Sequence, residues 1–326
     1  MFVYFGGEIM DIRKIIKFGN SSHVVSLPTN WVKKNKLSKG DLIYINENGN
    51  NELVFSPKII EKEDELREVT LNVEGKDIEQ IERELIATYI NHNDVVSLVS
   101  KDFKSNLGEI RKIVNSLIGF EITHHSPDKI VIKDFLNLND VSIVDMIRKV
   151  DLIVRSMLDN LILCFNKREC ANVYDQDIDV NKLSFLVLRV VKRSLDDPWL
   201  GKKMEMDNFQ LLETWILITK LEKIADALKR IYALGNKLDL DNSEMKKLNS
   251  LLLKLKDSYL KVMNSYHSMD CKMAYEAASL KRGYMLDCEK LFDKKNNSNV
   301  IKIVERLKDI QTYMGDIARV TYMQDG

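Results

Sequence analysis

The chain has 326 residues, enough for two or three domains with cores of their own, and its 49 basic and 49 acidic residues cancel to a net charge of zero. That balance excludes a global field drawing the protein to nucleic acid or to a membrane surface. No apolar run approaches the roughly 20 residues needed to span a bilayer, so membrane insertion is not expected. The four cysteines (164, 170, 271 and 288) have no CxxC spacing and read as free thiols of a cytoplasmic protein.

The leader 1–9 is apolar, has no basic n-region and is too short for a signal peptide; it reads as a marginal extension, with Met10 a candidate start. Residues 10–58 then read as a small β-rich unit. A first strand ends at Phe18, a Gly19-Asn20 turn leads to a second strand, and Pro28 opens a helix over 29–37. Two further strands, 41–46 and 52–56, flank a turn marked by Asn48-Gly49. From Met10 to Gly40 there are seven Lys/Arg against one acid, a net +6, whereas 61–68 carries five acids against Lys62 and Arg67, a net −3. A local basic patch on a neutral chain is the footprint of one nucleic-acid-binding module. The acidic run 61–67 reads as a linker.

Residues 68–136 change period and read as a small α+β domain of βαβαββ order. Its strands fall at 68–73, 95–100, 120–124 and 129–133, with helices at 77–91 and 106–117 and Gly119 as a stop. Nothing there carries a chemical signature, so a small-molecule module and a rigid spacer both remain open. His124-His125 reads as a surface pair.

From 141 to 323 the pattern is helical throughout, in six segments: 141–167, 178–195, 207–234, 243–268, 271–294 and 298–323. Short connections imply antiparallel neighbours in an all-α bundle. The six divide into three plus three. The third and sixth each carry an Ile-Ala pair beside an aspartate, Ile224-Ala225-Asp226 and Asp316-Ile317-Ala318, which suggests a duplication. Glu222 and Asp226 lie one turn apart on one face. Adjacent carboxylates repel unless a cation neutralises them, and that cation is either Lys223 or Lys229, or a metal ion. No Walker loop, GxSxG or HExxH occurs, and no enzymatic activity is expected.

Two resemblances sharpen these readings. Lys17-Phe18-Gly19-Asn20-Ser21, Val24-Val25-Ser26-Leu27-Pro28, Trp31, Leu37 and Lys39-Gly40-Asp41 resemble the SpoVT/AbrB (MazE-like) family over residues 11–57. That resemblance implies a swapped-hairpin β-barrel formed by two interleaved chains, which reads a two-fold symmetric operator from its strand–turn face. The residues placed on DNA are Arg13, Lys14, Lys17, Asn20, Ser21, Ser22 and His23, with Lys33 and Lys34 as backbone contacts. Arg13 or Asn20 would carry base specificity.

The two helix trios, with Glu222-x-x-x-Asp226 in the third helix, resemble the PhoU family of phosphate-uptake regulators. The resemblance implies a carboxylate-held metal, iron or a divalent ion, on neighbouring helices. Asp177, Asn181, Glu222, Asp226 and Asp316 take those positions, with Asp177/Asn181 favoured over Asp175/Asp179. The second repeat departs from the pattern, with Thr312 four before Asp316 and only Glu276 in the fifth helix. A swapped-hairpin unit, an α+β insert and PhoU-like helices recur together among archaeal phosphate-uptake regulators. The combined expectation is a cytoplasmic homodimer that regulates phosphate-transport genes and senses metal, phosphate or a partner through its helices. The alternative is a regulator that contacts a phosphate transporter's ATPase or a sensor kinase without binding DNA.

Overall fold

The structure, a computed structural model, describes residues 2–5, 8–47, 53–57, 66–101, 103, 106–167, 173–235, 238, 242–292 and 298–323. The chain forms two compact units, residues 1–65 and 66–326.

The first unit contains three separate two-stranded antiparallel sheets and one short helix. Strands β1 (Phe2–Phe5) and β2 (Glu8–Asp11) pair, so the leader read as marginal takes up regular backbone structure. Strands β3 (Ile16–Phe18) and β4 (Ser22–Val24) close on Gly19, whose φ of +68° is the left-handed conformation the tight turn requires. Helix α1 (Thr29–Lys34) follows Pro28, and Lys36 at φ +54° stops it short of the expected Leu37. Strands β5 (Tyr44–Glu47) and β6 (Leu53–Ser56) pair as expected; the turn assigned to Asn48-Gly49 lies outside the described residues, as do residues 61–65 of the acidic run.

Within one chain these sheets do not close into a barrel among the described residues. Of the side chains described in residues 12–57, none is buried. Ile15 is 73%, Phe18 71% and Leu42 75% exposed. Among the described residues of this unit no buried apolar core forms.

The second unit begins with the βαβαββ sheet that the change of period anticipates. Its strands are β7 (Glu68–Asn72), β8 (Val95–Val99), β9 (Phe120–His125) and β10 (Lys129–Asp134). Helix α2 (Ile78–Ile90) carries the parallel β7–β8 crossover, and α3 (Leu107–Asn115) leads into β9. Sheet order is β7-β8-β10-β9, with β10 antiparallel to both neighbours. Asp77 caps α2 by accepting from the Gln80 N–H at 2.7 Å. Leu85, Tyr89, Val96, Leu98, Ile110 and Ile132 form the centre of this core. His124 and His125 are exposed on β9, in keeping with a surface pair.

The remaining helices form a bundle: α4 (Ile143–Lys167), α5 (Val173–Asp196), α6 (Pro198–Lys203), α7 (Asn208–Gly235), α8 (Asn242–Ser268), α9 (Cys271–Phe292) and α10 (Ser298–Tyr322). Helices α4, α5 and α7 pack on one another, as do α8, α9 and α10; α7 against α10 and α4 against α8 join the two groups. Both Ile-Ala pairs, Ile224-Ala225 and Ile317-Ala318, are fully buried in the bundle core.

Two features of the bundle differ from expectation. Helix α5 starts at Val173 rather than near 178 because buried Val173 anchors an extra turn and Asp175 suits the positive end of the helix dipole. Helix α6 appears where Asp196-Asp197-Pro198 suggested only a connection, since Pro198 is preorganised for the first helical position. The separator residues 168–172, 236–237, 239–241 and 296–297 lie outside the described residues. The free-thiol reading fails at Cys164, which is disulfide-bonded, while Cys271 and Cys288 are not in disulfides. Disulfides follow Cα separation in the fold, which linear spacing does not reveal. Among the described residues, no helix is long and apolar enough to cross a membrane.

Candidate functional site

The basic hairpin is built by alternation. Lys17 on β3 faces His23 on β4, whereas Ile16 pairs with Val24 and Phe18 with Ser22. Side chains of paired residues share a face, so Lys17 and His23 form one side and Ile16, Phe18 and Val24, with Ser22, the other. One side of this ribbon is cationic and polar, the other apolar, and both lie open. Arg13, Lys14, Lys17, Asn20, Ser21, Ser22 and His23 are all exposed, with Asn20 and Ser21 on the turn. Lys33 and Lys34 occupy the last turn of α1, where their charge suits the helix C-terminus, and are exposed as well. Exposed polar and cationic side chains on the hairpin and on α1 can approach a phosphate backbone without desolvating a buried group.

In the bundle, the expected metal ligands divide among ion pairs. Asp177 is buried on α5, 4% exposed, and its Oδ2 accepts from the Lys229 ammonium at 2.7 Å. The same ammonium lies 3.0 Å from Asp226 Oδ1, and Arg230 Nη2 lies 2.8 Å from Asp226 Oδ2. Asn181 is one turn along α5 and points its Nδ2 at Asp177 Oδ2, 3.5 Å away. Burial alone would raise the Asp226 pKa, but Lys229 and Arg230 outweigh it and hold it below the ordinary 3.8. Burial likewise opposes the Lys229 charge, and its bonds to Asp177 and Asp226 overcome that and raise its pKa. Glu222 pairs with Lys223 at 3.3 Å, and Asp316 on α10 with Lys220 of α7 at 2.8 Å. Thr312 turns inward to donate to its own helix at Lys308 O, 3.0 Å away, and Glu276 is exposed.

The structure therefore unites Asp177, Asn181 and Asp226 and leaves Glu222 and Asp316 in other pairs. Among the described residues no group of three His, Cys, Asp or Glu side chains is placed to hold a metal ion. Asp177 and Asp226 carry two negative charges, and Lys229 and Arg230 supply two positive ones. A divalent ion added there meets a neutralised cluster with an ammonium already between the carboxylates, so the residues as arranged do not fit one. Of the two neutralising lysines named from sequence, Lys223 and Lys229 each reach a carboxylate of their own helix. The link from Lys229 across to Asp177 on α5 is not evident from the sequence.

Two further polar clusters have no full signature in the sequence. Asp151 of α4, buried, accepts from Arg155 Nε at 2.9 Å, Arg155 Nη2 at 2.8 Å and the Tyr259 hydroxyl at 3.0 Å, and its Oδ2 lies 2.9 Å from His267 Nε2. Tyr259 and His267 belong to α8, so this network ties α4 to α8. Only its Asp151–Arg155 spacing of four is readable in the sequence. Arg189 of α5, 1% exposed, pairs with Asp134 of β10 and lies over the rings of Tyr89 and Phe120, 4.5 and 5.4 Å from their centroids. That cation–π stack fastens the sheet to the bundle. Both networks are structural ties and bring no nucleophile or open acid–base pair to a surface. Comparison of the chain with protein-family models, curated proteins and solved structures found no match.

Proposed function

We propose that the protein is a homodimeric, cytoplasmic, archaeal-type transcriptional regulator of phosphate uptake. It would bind a two-fold symmetric operator through its N-terminal unit and take its input through the helical bundle. The carrying observation is the hairpin: a cationic side at Lys17 and His23, an apolar side at Ile16, Phe18 and Val24, and no buried side chain around it. A second copy interleaving its own hairpins supplies the missing core and leaves the Lys17 and His23 side for DNA, with Arg13 and Lys14 just ahead of it in the chain. The completed barrel, the α+β sheet and a bundle of two PhoU-like three-helix repeats are the finer architecture of this reading. Packing within α4-α5-α7 and within α8-α9-α10 supports the repeats. Phosphate as the regulated nutrient rests on the resemblance of those helices to PhoU proteins. The input is then phosphate, or contact with a phosphate transporter's ATPase or a sensor kinase.

Promoter binding by the full-length protein tests the reading. Lys14→Glu/Lys17→Glu should keep the dimer and weaken affinity for a phosphate-transporter promoter or its own by at least about tenfold. The dependence of log affinity on log salt should become shallower by about one for each DNA phosphate that is no longer neutralised. Wild-type protein without salt-dependent promoter binding sinks the DNA reading. Regulation that survives the double change favours a regulator working by protein contact alone.

A further inference from the structure

The fold sets two carboxylates on α5 and α7 around one point, an arrangement that demands a cation, and the chain itself supplies one. Asp177 Oδ2 and Asp226 Oδ1 both lie within 3.0 Å of the Lys229 ammonium. Asp177 is more than nine-tenths buried, and its second oxygen, Oδ1, is enclosed without a hydrogen-bond partner. Asn181 Oδ1, at the next turn of the same face of α5, is likewise enclosed without a partner. Oxygen acceptors with unused lone pairs, beside a carboxylate, form a donor set for a hard cation that only the lysine keeps electrically full.

We infer that Lys229 is a built-in substitute for a metal ion. Its ammonium holds α5 and α7 together where a divalent cation would otherwise sit, and it makes the wild-type bundle independent of metal. Removing the ammonium uncovers a latent site made of Asp177, Asn181 and Asp226. Arg230 does not fill the gap, because it approaches Asp226 from the solvent side, with its side chain 57% exposed. Long and half in water, it can swing clear of an arriving ion. A guanidinium at position 229, in contrast, keeps a positive charge at the site and should keep the cation out.

The test uses the full-length protein with Mn²⁺ as probe, bound ion being read from the loss of the free-ion electron paramagnetic resonance signal. Wild type and Lys229→Arg should bind no equivalent of Mn²⁺ at this site and melt at the same temperature with or without it. Lys229→Ala should take up about one equivalent, and Mn²⁺ at 100 times its dissociation constant should raise its melting temperature by about 3 °C or more. Adding Asp177→Asn to Lys229→Ala should abolish that gain. The inference is overturned if wild type holds an equivalent of metal that Asp177→Asn releases. It is equally overturned if Lys229→Ala binds no more Mn²⁺ than wild type, or stays unfolded with Mn²⁺ as without it. None of these outcomes depends on DNA binding, so failure here and failure of the regulatory reading remain separable.

Discussion

His92 follows α2 in the left-handed conformation, φ +58°, with its ring buried and neither nitrogen hydrogen-bonded. Burial first, and then the positive charges of Arg189, Arg193, Arg67 and Lys192, push its pKa from 6.5 down to about 3. The folded state therefore keeps the imidazole neutral while the unfolded state protonates it. Stability from this residue is complete above pH 6.5 and declines as pH falls towards 3, by up to about 1.4 kcal/mol per pH unit. Asparagine accepts a positive φ and does not titrate, so His92→Asn should flatten that decline when urea unfolding is compared at about pH 7.5 and about pH 5. At Asp151 the expected effect is smaller. Tyr259→Phe removes one of several donors to a buried carboxylate and should cost about 1 kcal/mol, measured by the same unfolding experiment. Gly119 bridges α3 and β9 at φ +92°, and a Cβ there would lie 2.5 Å from Leu136 Cβ. Gly119→Ala combines backbone strain with a clash against a neighbouring strand end, and should lower stability by at least about 2 kcal/mol.

At the scale of elements, legibility follows how local the determining forces are. The six elements from β7 to β10 are readable to within a residue or two because period, capping at Asp77 and the stop at Gly119 are all encoded in short windows. The start of α5 is not, because burial of Val173 against other helices extends it, and that is a tertiary effect. The carboxylates of the candidate site are equally visible, but their chemistry is not. Glu222 and Asp226 announce a need for a cation, and sequence alone leaves lysine and metal open. Only the fold brings Asp177 of α5 to Lys229 of α7. The N-terminal hairpin is the opposite case: its amphipathic alternation is written in residues 16–24, and the exposed Phe18 is the structural consequence of a pattern with no partner inside its own chain.

At the scale of the whole molecule, the two compact units contrast in what each can bury. Residues 66–326 contain two apolar cores among the described residues, one on the sheet and one through the bundle. Residues 1–65 contain no buried side chain among those described. A chain with these two units should associate through the first, in a closed two-fold arrangement. Everything proposed about operator symmetry depends on that association. Sedimentation of the full-length protein at micromolar concentration, wild type beside Phe18→Glu, tests it most directly. The expected result is a wild-type mass of two chains and a variant mass of one, with the helical signal of residues 66–326 retained. A monomeric wild type, or a dimer that Phe18→Glu leaves intact, would contradict it.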